Sequence, residues 1–500
     1  MFITLKHIFK VVHKRLSWLA GLWVVWLCAI SVGYLIYGGS AVHPVDARNA
    51  EQLTYMHLEY PLVNSLTEPL TALWKIMNHA ADIHVAMISY LCWGIFIASI
   101  FAWKRSKNLY ITCKTALIVA CIIIFYDVFM LMMSPSGWRL VLDEPGLLVA
   151  DLHSHSYYSH DSFLDPVDNL KIHRDAGFNV VAITDHINSD GARVKSRLKY
   201  NDTTTVLQGI ETHDAQGAYL IAVGAEHIEP LEHPLLNDID TREWIRRIHE
   251  KDNGIVIAMY INLHPEDIAR LRALGVDAFE ISNRGHPDLS RSMRIALNQA
   301  NKVGVPLVAS SDLHGWGIDM DTWTVFRSSA TGLSPEYSVL SAIRDHRHED
   351  IIPVSSHSLG EMTIVNAITA PFRNILQYSR ELSLSGLISW WAWSVILLIT
   401  GLMIESISKS PRRVVFVITL FACGSVLLFR GFEVLLLPDI SIDSVSFKNE
   451  TGLFVCAVGV LSLVACIFMR ETRRYSSTLS EADKIMPHAS SLGGASERDI

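Results

Sequence analysis

The sequence predicts an α/β chain in which a barrel of the (β/α) kind sits between two groups of three transmembrane helices. Half of the 500 residues are apolar and only 18% are charged, against about 25% charged in an average soluble domain. The apolar residues gather in six long runs, three on each side of a stretch of about 240 residues that has none. Within that stretch, short β-rich runs alternate with helical patterns. The composition excludes a disordered chain, and the net charge of −8 excludes a strongly basic nucleic-acid binder.

The six runs cover residues 18–37, 85–103, 116–133, 387–404, 414–437 and 453–469. Each approaches the ~20 apolar residues that a helix needs to cross a bilayer. The third contains Asp127, and the fifth contains Arg430 and Glu433. The first is longer than the 7–15 residues usual for the core of a signal peptide, so an uncleaved anchor is expected. Lysine and arginine cluster at 6–15, 104–107, 409–413 and 470–474, which fall on one side if every run crosses once. The positive-inside rule makes that side the cytoplasm. Both termini are then cytoplasmic, in an inner membrane, and the central stretch is extracytoplasmic. This gives a membrane region at 1–146, a domain at 147–360, a second membrane region at 361–470 and a disordered tail at 471–500.

All seven cysteines lie in or beside the apolar runs, so the domain has neither disulfides nor thiolate metal sites. Its charge is distinctive. Residues 147–360 carry 30 acidic and 19 basic side chains, a net −11, leaving +3 for the remainder. Such a domain is a poor tracker of nucleic-acid backbones, and no nucleic-acid partner is expected. The lipid bilayer is the expected partner of the flanking helices.

Seven runs in the domain read as strands: 147–153, 179–185, 204–211, 218–224, 254–260, 276–282 and 305–311. Most are nearly continuous Val, Ile, Leu and Ala, as in strands buried on both faces of a parallel sheet. Helices are expected at 165–177, opened by Asp165-Pro166, and at 240–251, 265–274 and 288–303. In such barrels chemistry gathers at the C-terminal ends of the strands. Here those ends read Asp151-Leu152-His153-Ser154-His155, then Thr184-Asp185-His186, then Gly209-Ile210-Glu211, then Ser311-Asp312-Leu313-His314. Residues i and i+2 of a strand face the same way, so His153 and His155 can reach one ion, as can Asp312 and His314. Imidazoles and carboxylates without cysteine suit divalent zinc, manganese or iron.

These four motifs, in this order, resemble the PHP (polymerase and histidinol phosphatase) superfamily of metal-dependent phosphoesterases over about residues 147–356. The resemblance implies a distorted (β/α)7 TIM-like barrel holding two or three metals. It implies that His153, His155, Glu211 and Asp312 bind the first metal. It implies that His186 and His314 bind another, with a third ligand at His160 or its competitor Asp161. Glu211 would bridge to the remaining metal. The family usually supplies histidines for that metal where this chain has Ala218-Tyr219 and Met259-Tyr260; His264 is one candidate substitute, and His213, His227 and His233 are other candidate donors.

Metals at such a site activate water and neutralise phosphate oxygens. Arg284, just past the sixth run, is the expected phosphate clamp. His286 is the expected general acid, and Asp312 is either the proton acceptor or purely a ligand. The expected activity is a membrane-anchored phosphoesterase that hydrolyses a phosphorylated small molecule or an envelope phosphoester outside the cytoplasm. The alternative is a degenerate PHP domain that senses a ligand or metal and signals through the helices.

Overall fold

The computed structural model describes residues 19–37, 42–78, 83–133, 137–162, 164–193, 204–225, 227, 231, 235–259, 264–283, 298–300, 302, 304–315, 320–327, 332–356, 364–407, 411–436 and 452–464. The chain divides into a larger unit, Met1–Leu398, and a smaller one built around Ile399–Leu437 and the helix Gly452–Val464.

Ten strands of the larger unit form one strongly curled sheet. In chain order, with a separate two-stranded ribbon included, the strands are β1 (Val45–Asp46), β2 (Met56–Glu59), β3 (Arg139–Leu142), β4 (Leu147–Asp151), β5 (Val180–Ile183) and β6 (Thr205–His213). They continue as β7 (Tyr219–Val223), β8 (Ile255–Ala258), β9 (Ala278–Asn283), β10 (Leu307–Ser310), β11 (Thr322–Arg327) and β12 (Ile351–Ser355). The large sheet runs β1-β12-β11-β4-β5-β6-β7-β8-β9-β10, and β2 pairs with β3 in the ribbon. All seven expected strands are present. The barrel of seven βα repeats is corrected. β7 is antiparallel to both of its neighbours, because β6 turns directly into it, and β11 and β12 add an antiparallel flank beside β4.

The sheet curls until its far end meets its beginning. The Thr324 hydroxyl accepts from the Ala309 amide at 2.8 Å, and the Thr322 hydroxyl donates to the Ser310 carbonyl at 2.6 Å. Past the strand ends, Ser154 and Leu313 form a parallel bridge, and the Asp312 amide donates to the His153 carbonyl at 2.9 Å. β5, β8 and β10 are buried along their whole length, which explains their unbroken apolar sequences. The helix Pro166–Asp175 begins as its sequence requires. The Asp165 carboxylate accepts from the Val167 amide at 2.6 Å, a cap of about 1 kcal/mol, with Pro166 in the first turn. It ends before Gly177, whose φ of +97° brings its α-carbon against the Leu140 carbonyl, where a side chain would collide.

The expectation of six membrane spans is corrected. Among the described residues, two helices are long and apolar enough to cross a membrane, Met87–Ser106 and Leu109–Met130. They form a hairpin and pack against each other. A third crossing is available only if the bent pair Ile368–Glu381 and Leu384–Thr400 counts as one. Trp23–Tyr37, Phe421–Phe432 and Gly452–Val464 are shorter apolar helices. In the smaller unit, Gly431 faces Cys456 and Gly459 faces the Leu428 backbone, so the two helices touch nearly backbone to backbone.

Candidate metal centre

The strand ends deliver their side chains to one buried point. His153 and His155 follow β4 in extended conformation, and their Nε2 atoms lie 3.0 Å apart. Glu211 sits in β6, and its Oε2 is 3.2 Å from His153 Nε2 and 3.0 Å from His155 Nε2. Asp312 follows β10, with Oδ1 at 3.3 Å and 3.4 Å from the same two nitrogens. Its φ of +50° is unusual for a residue with a side chain, and this backbone turn aims the carboxylate inward. Ile187, β-branched and at φ +53°, marks the same constraint behind His186.

Ligands around a tetrahedral ion at about 2.1 Å lie about 3.4 Å from one another. The donors of His153, His155, Glu211 and Asp312 are spaced 3.0–3.4 Å apart in the pairs given above. The hydrogen bonds behind them point the lone pairs inward. Glu280 lies 3.1 Å from His153 Nδ1, and the Ser159 hydroxyl lies 3.0 Å from His155 Nδ1. With protons on both Nδ1 atoms, both Nε2 atoms are free to ligate. The residues therefore fit a divalent ion.

A second group adjoins the first. His186 Nδ1 is 3.3 Å from Glu211 Oε2, so this oxygen serves both groups. The Oδ2 of Asp161 lies 3.2 Å from His186 Nε2 and 3.4 Å from His314 Nε2. His314 Nδ1 donates to the Asp312 carbonyl at 2.9 Å, which leaves its Nε2 for a ligand. Between the competitors after the first motif, Asp161 joins both imidazoles. His160 is more exposed, and its Nε2 stands 3.9 Å from Asp161, although it also lies within reach of His186.

Buried carboxylates hold this rim in place. Asp151 accepts from the Ser311 amide at 3.0 Å and from its hydroxyl, and pairs with His173 of the helix Pro166–Asp175 at 2.6 Å. It thus ties the end of β4 to the segment carrying Asp312. Asp185 accepts from the Ser156 amide at 2.7 Å and hydroxyl at 2.8 Å, and from the Ser159 hydroxyl at 3.1 Å.

The electrostatics are those of interlocked charge pairs. Burial opposes a charge on His314, but Asp312 and Asp161 outweigh it and lift its pKa to about 9. Burial likewise opposes a charge on His153, and Asp312, Glu280 and Glu211 outweigh it. Burial would raise Glu211, but His186 and His153 hold it well below the carboxylate range. Asp312 and Asp161 are held low in the same way. Glu280 and Asp185 go the other way, raised by burial. Without a metal, protons on the imidazoles balance the carboxylates, and a metal displaces them.

Of the expected site residues, His153, His155, His160, His186, Glu211, Asp312 and His314 come together. His264 does not join the donor groups found among the described residues. It is exposed and caps the helix Pro265–Leu274. Arg284 and His286 lie outside the described residues. The sequence reading assigns no role in the centre to Glu280 or His173, and meets Tyr219 only where the resemblance places a histidine. Glu280 ends an apolar run, a signal that was legible. The half-buried Tyr219 has its pKa raised by burial and by the charges of Glu211, Asp161 and Asp312, which makes it a neighbour of the centre.

No family model matches the sequence, and no curated protein matches it significantly. Solved structures similar to the chain include PsfC from Pseudomonas syringae PB-5123, at 12% identity and TM-score 0.33, covering 47% of this chain and 98% of that one. Another is a putative metal-dependent phosphoesterase from Bifidobacterium adolescentis, at 16% identity and TM-score 0.29, covering 40% and 94%. A third is an amidohydrolase from Chromobacterium violaceum, at 15% identity and TM-score 0.27, covering 33% and 87%. Likenesses this remote leave function to be argued from the site.

Proposed function

We propose that the chain is a membrane-anchored, metal-dependent phosphoesterase of the PHP type, acting on a small or envelope-borne phosphate ester outside the cytoplasm. The observation that carries the reading is the convergence of His153, His155, Glu211 and Asp312 on one point, with Asp161, His186 and His314 on its flank. Divalent ions bound there supply Lewis-acid charge to the ester oxygens and lower the pKa of water. The residues do the rest. Glu211 and Asp312 hold the two donor groups at fixed separation. Glu280 and Ser159 keep the imidazole protons away from the centre. Asp312 Oδ1, buried and depressed in pKa, is an acceptor for a proton leaving water, and Arg284 and His286 remain the proposed phosphate clamp and general acid.

The test is metal analysis of the purified full chain, followed by a panel of phosphomonoesters and phosphodiesters with zinc, manganese or iron. Hydrolysis that disappears in His153→Ala and Asp312→Ala supports the reading. A folded, metal-loaded chain that is inert on every ester favours the second reading, a metal or ligand sensor coupled to the helices. One observation favours that reading. The fully buried Met259 stands at the end of β8, where the resemblance places a metal-binding histidine.

A further inference from the structure

Two helices of the larger unit are inside out for a protein in water. The helix Leu62–Asn78 buries Asn64, Ser65, Glu68, Thr71 and Lys75 and exposes Leu62, Leu66, Leu70 and Leu73 to 38–70%. The exposed positions recur every three or four residues, so they form one stripe. The helix Ile364–Glu381 buries Asn374, Tyr378 and Ser379 and exposes Val365, Ile368, Phe372 and Leu376 to 52–68%. The polar interior is joined at Glu68, where the helices meet. Glu68 accepts from Lys75 at 2.6 Å, from the Tyr60 hydroxyl at 2.9 Å and from the Tyr378 hydroxyl at 2.8 Å. Apolar stripes of this length are seldom left bare in water.

The neighbouring helices indicate what covers the stripes. Ile368–Glu381 meets the apolar helix Leu384–Thr400 at 108°, 18° past perpendicular. If the latter follows the bilayer normal, the former lies nearly in the membrane plane. Aromatic side chains of the apolar helices bind the backbone of both. Trp93 donates to the Ile368 carbonyl at 3.0 Å, Tyr90 to the Pro371 carbonyl at 3.4 Å, and Trp393 to the Leu66 carbonyl at 2.7 Å. Tryptophan and tyrosine favour the membrane interface.

We infer that Leu62–Asn78 and Ile364–Glu381 form an interfacial platform whose apolar stripes lie in the headgroup–acyl boundary of a phospholipid bilayer. This rests on the proposed membrane location and goes beyond it, because it assigns lipid contact to two helices that do not span. The full chain is reconstituted into phosphatidylcholine vesicles with photoreactive benzoylphenylalanine in place of Leu70 or Phe372. Leu117, exposed on the helix Leu109–Met133, is the spanning control, and Tyr337, exposed on the helix Pro335–Arg344, is the water control. Intact mass after irradiation reads the adducts. Lipid adducts at 70 and 372 are expected within about threefold of those at 117 and at least about tenfold above those at 337. The same probe at Leu66 and Leu376 repeats the measurement if either first variant fails to fold. Adducts at 117 with none at 70, 372, 66 or 376 overturn the platform, as do protein–protein crosslinks there in place of lipid. No adduct at 117 overturns the membrane location and the platform with it.

Discussion

Removing the carboxylate behind His153 separates a metal centre from a cluster of buried ion pairs. Glu280 is fully buried. Its Oε2 lies 3.1 Å from His153 Nδ1, and its Oε1 accepts from Asn283 at 2.6 Å. In Glu280→Ala the Nδ1 proton has no acceptor, which costs about 1–3 kcal/mol in a dry site. The imidazole escapes that cost by moving its proton to Nε2, and the lone pair that should meet the ion is lost. Loss of such an outer partner weakens metal binding by about 10–100-fold, or about 1.4–2.7 kcal/mol. Glu280→Gln should cost less than about tenfold, because its amide oxygen can still accept from Nδ1 once the Asn283 amide turns to accept from the new NH2. Competition against a chromogenic chelator on the detergent-solubilised chain gives each affinity, and thermal melts check that each variant is folded. Parental affinity in folded Glu280→Ala, or weaker binding in Gln than in Ala, would refute the orienting role and the fit of the site to a metal.

Three further outcomes follow from the same geometry. Asp161→Asn should weaken the second metal equivalent by at least about tenfold while His160→Ala changes it by less than about threefold, read by metal stoichiometry after dialysis; the reverse order would make His160 the ligand. The metal-free chain should lose stability as pH rises from about 6.5 to about 9, because the raised pKa of His314 gives stability that is complete below the unfolded value and gone above the folded one. Its depressed carboxylates, Glu211 and Asp312, give stability that is present above their unfolded range near ~4 and is lost on acidification. The metal-loaded chain should gain stability over the pH 6.5–9 interval as protons cease to compete, so parallel melting curves with and without chelator would contradict the coupling. Inorganic phosphate should bind, by calorimetry, only to chain carrying two metal equivalents; binding at one equivalent would contradict the charge balance of the site.

The sequence announces the candidate ligands because period two in a strand and position at a strand end are local properties. His153 with His155 and Asp312 with His314 are readable from spacing alone. The pairings behind them are not, because Glu280, although visible at the end of its apolar run, and His173 reach the centre from β9 and from a helix through three-dimensional packing. β12 escaped notice because Pro353 argues against a strand interior. It is tolerated beside β1, which is only two residues long. The span count differs where the expected runs 18–37, 414–437 and 453–469 are represented among the described residues by the shorter apolar helices Trp23–Tyr37, Phe421–Phe432 and Gly452–Val464.

The charge of the domain constrains what the proposed centre can bind. With imidazoles neutral, Glu211, Asp312 and Asp161 give the site a formal −3. One divalent ion leaves it at −1, still repelling phosphate, and two bring it to +1. Glu211 Oε2, within 3.3 Å of imidazole nitrogens from both groups, keeps the two groups adjacent. Around this point the domain carries −11. A polyanion lying along that surface pays repulsion over its whole length, whereas a small ester places its charge only where the ions are. The proposed substrate is therefore compact at its phosphate end, and its binding follows metal loading.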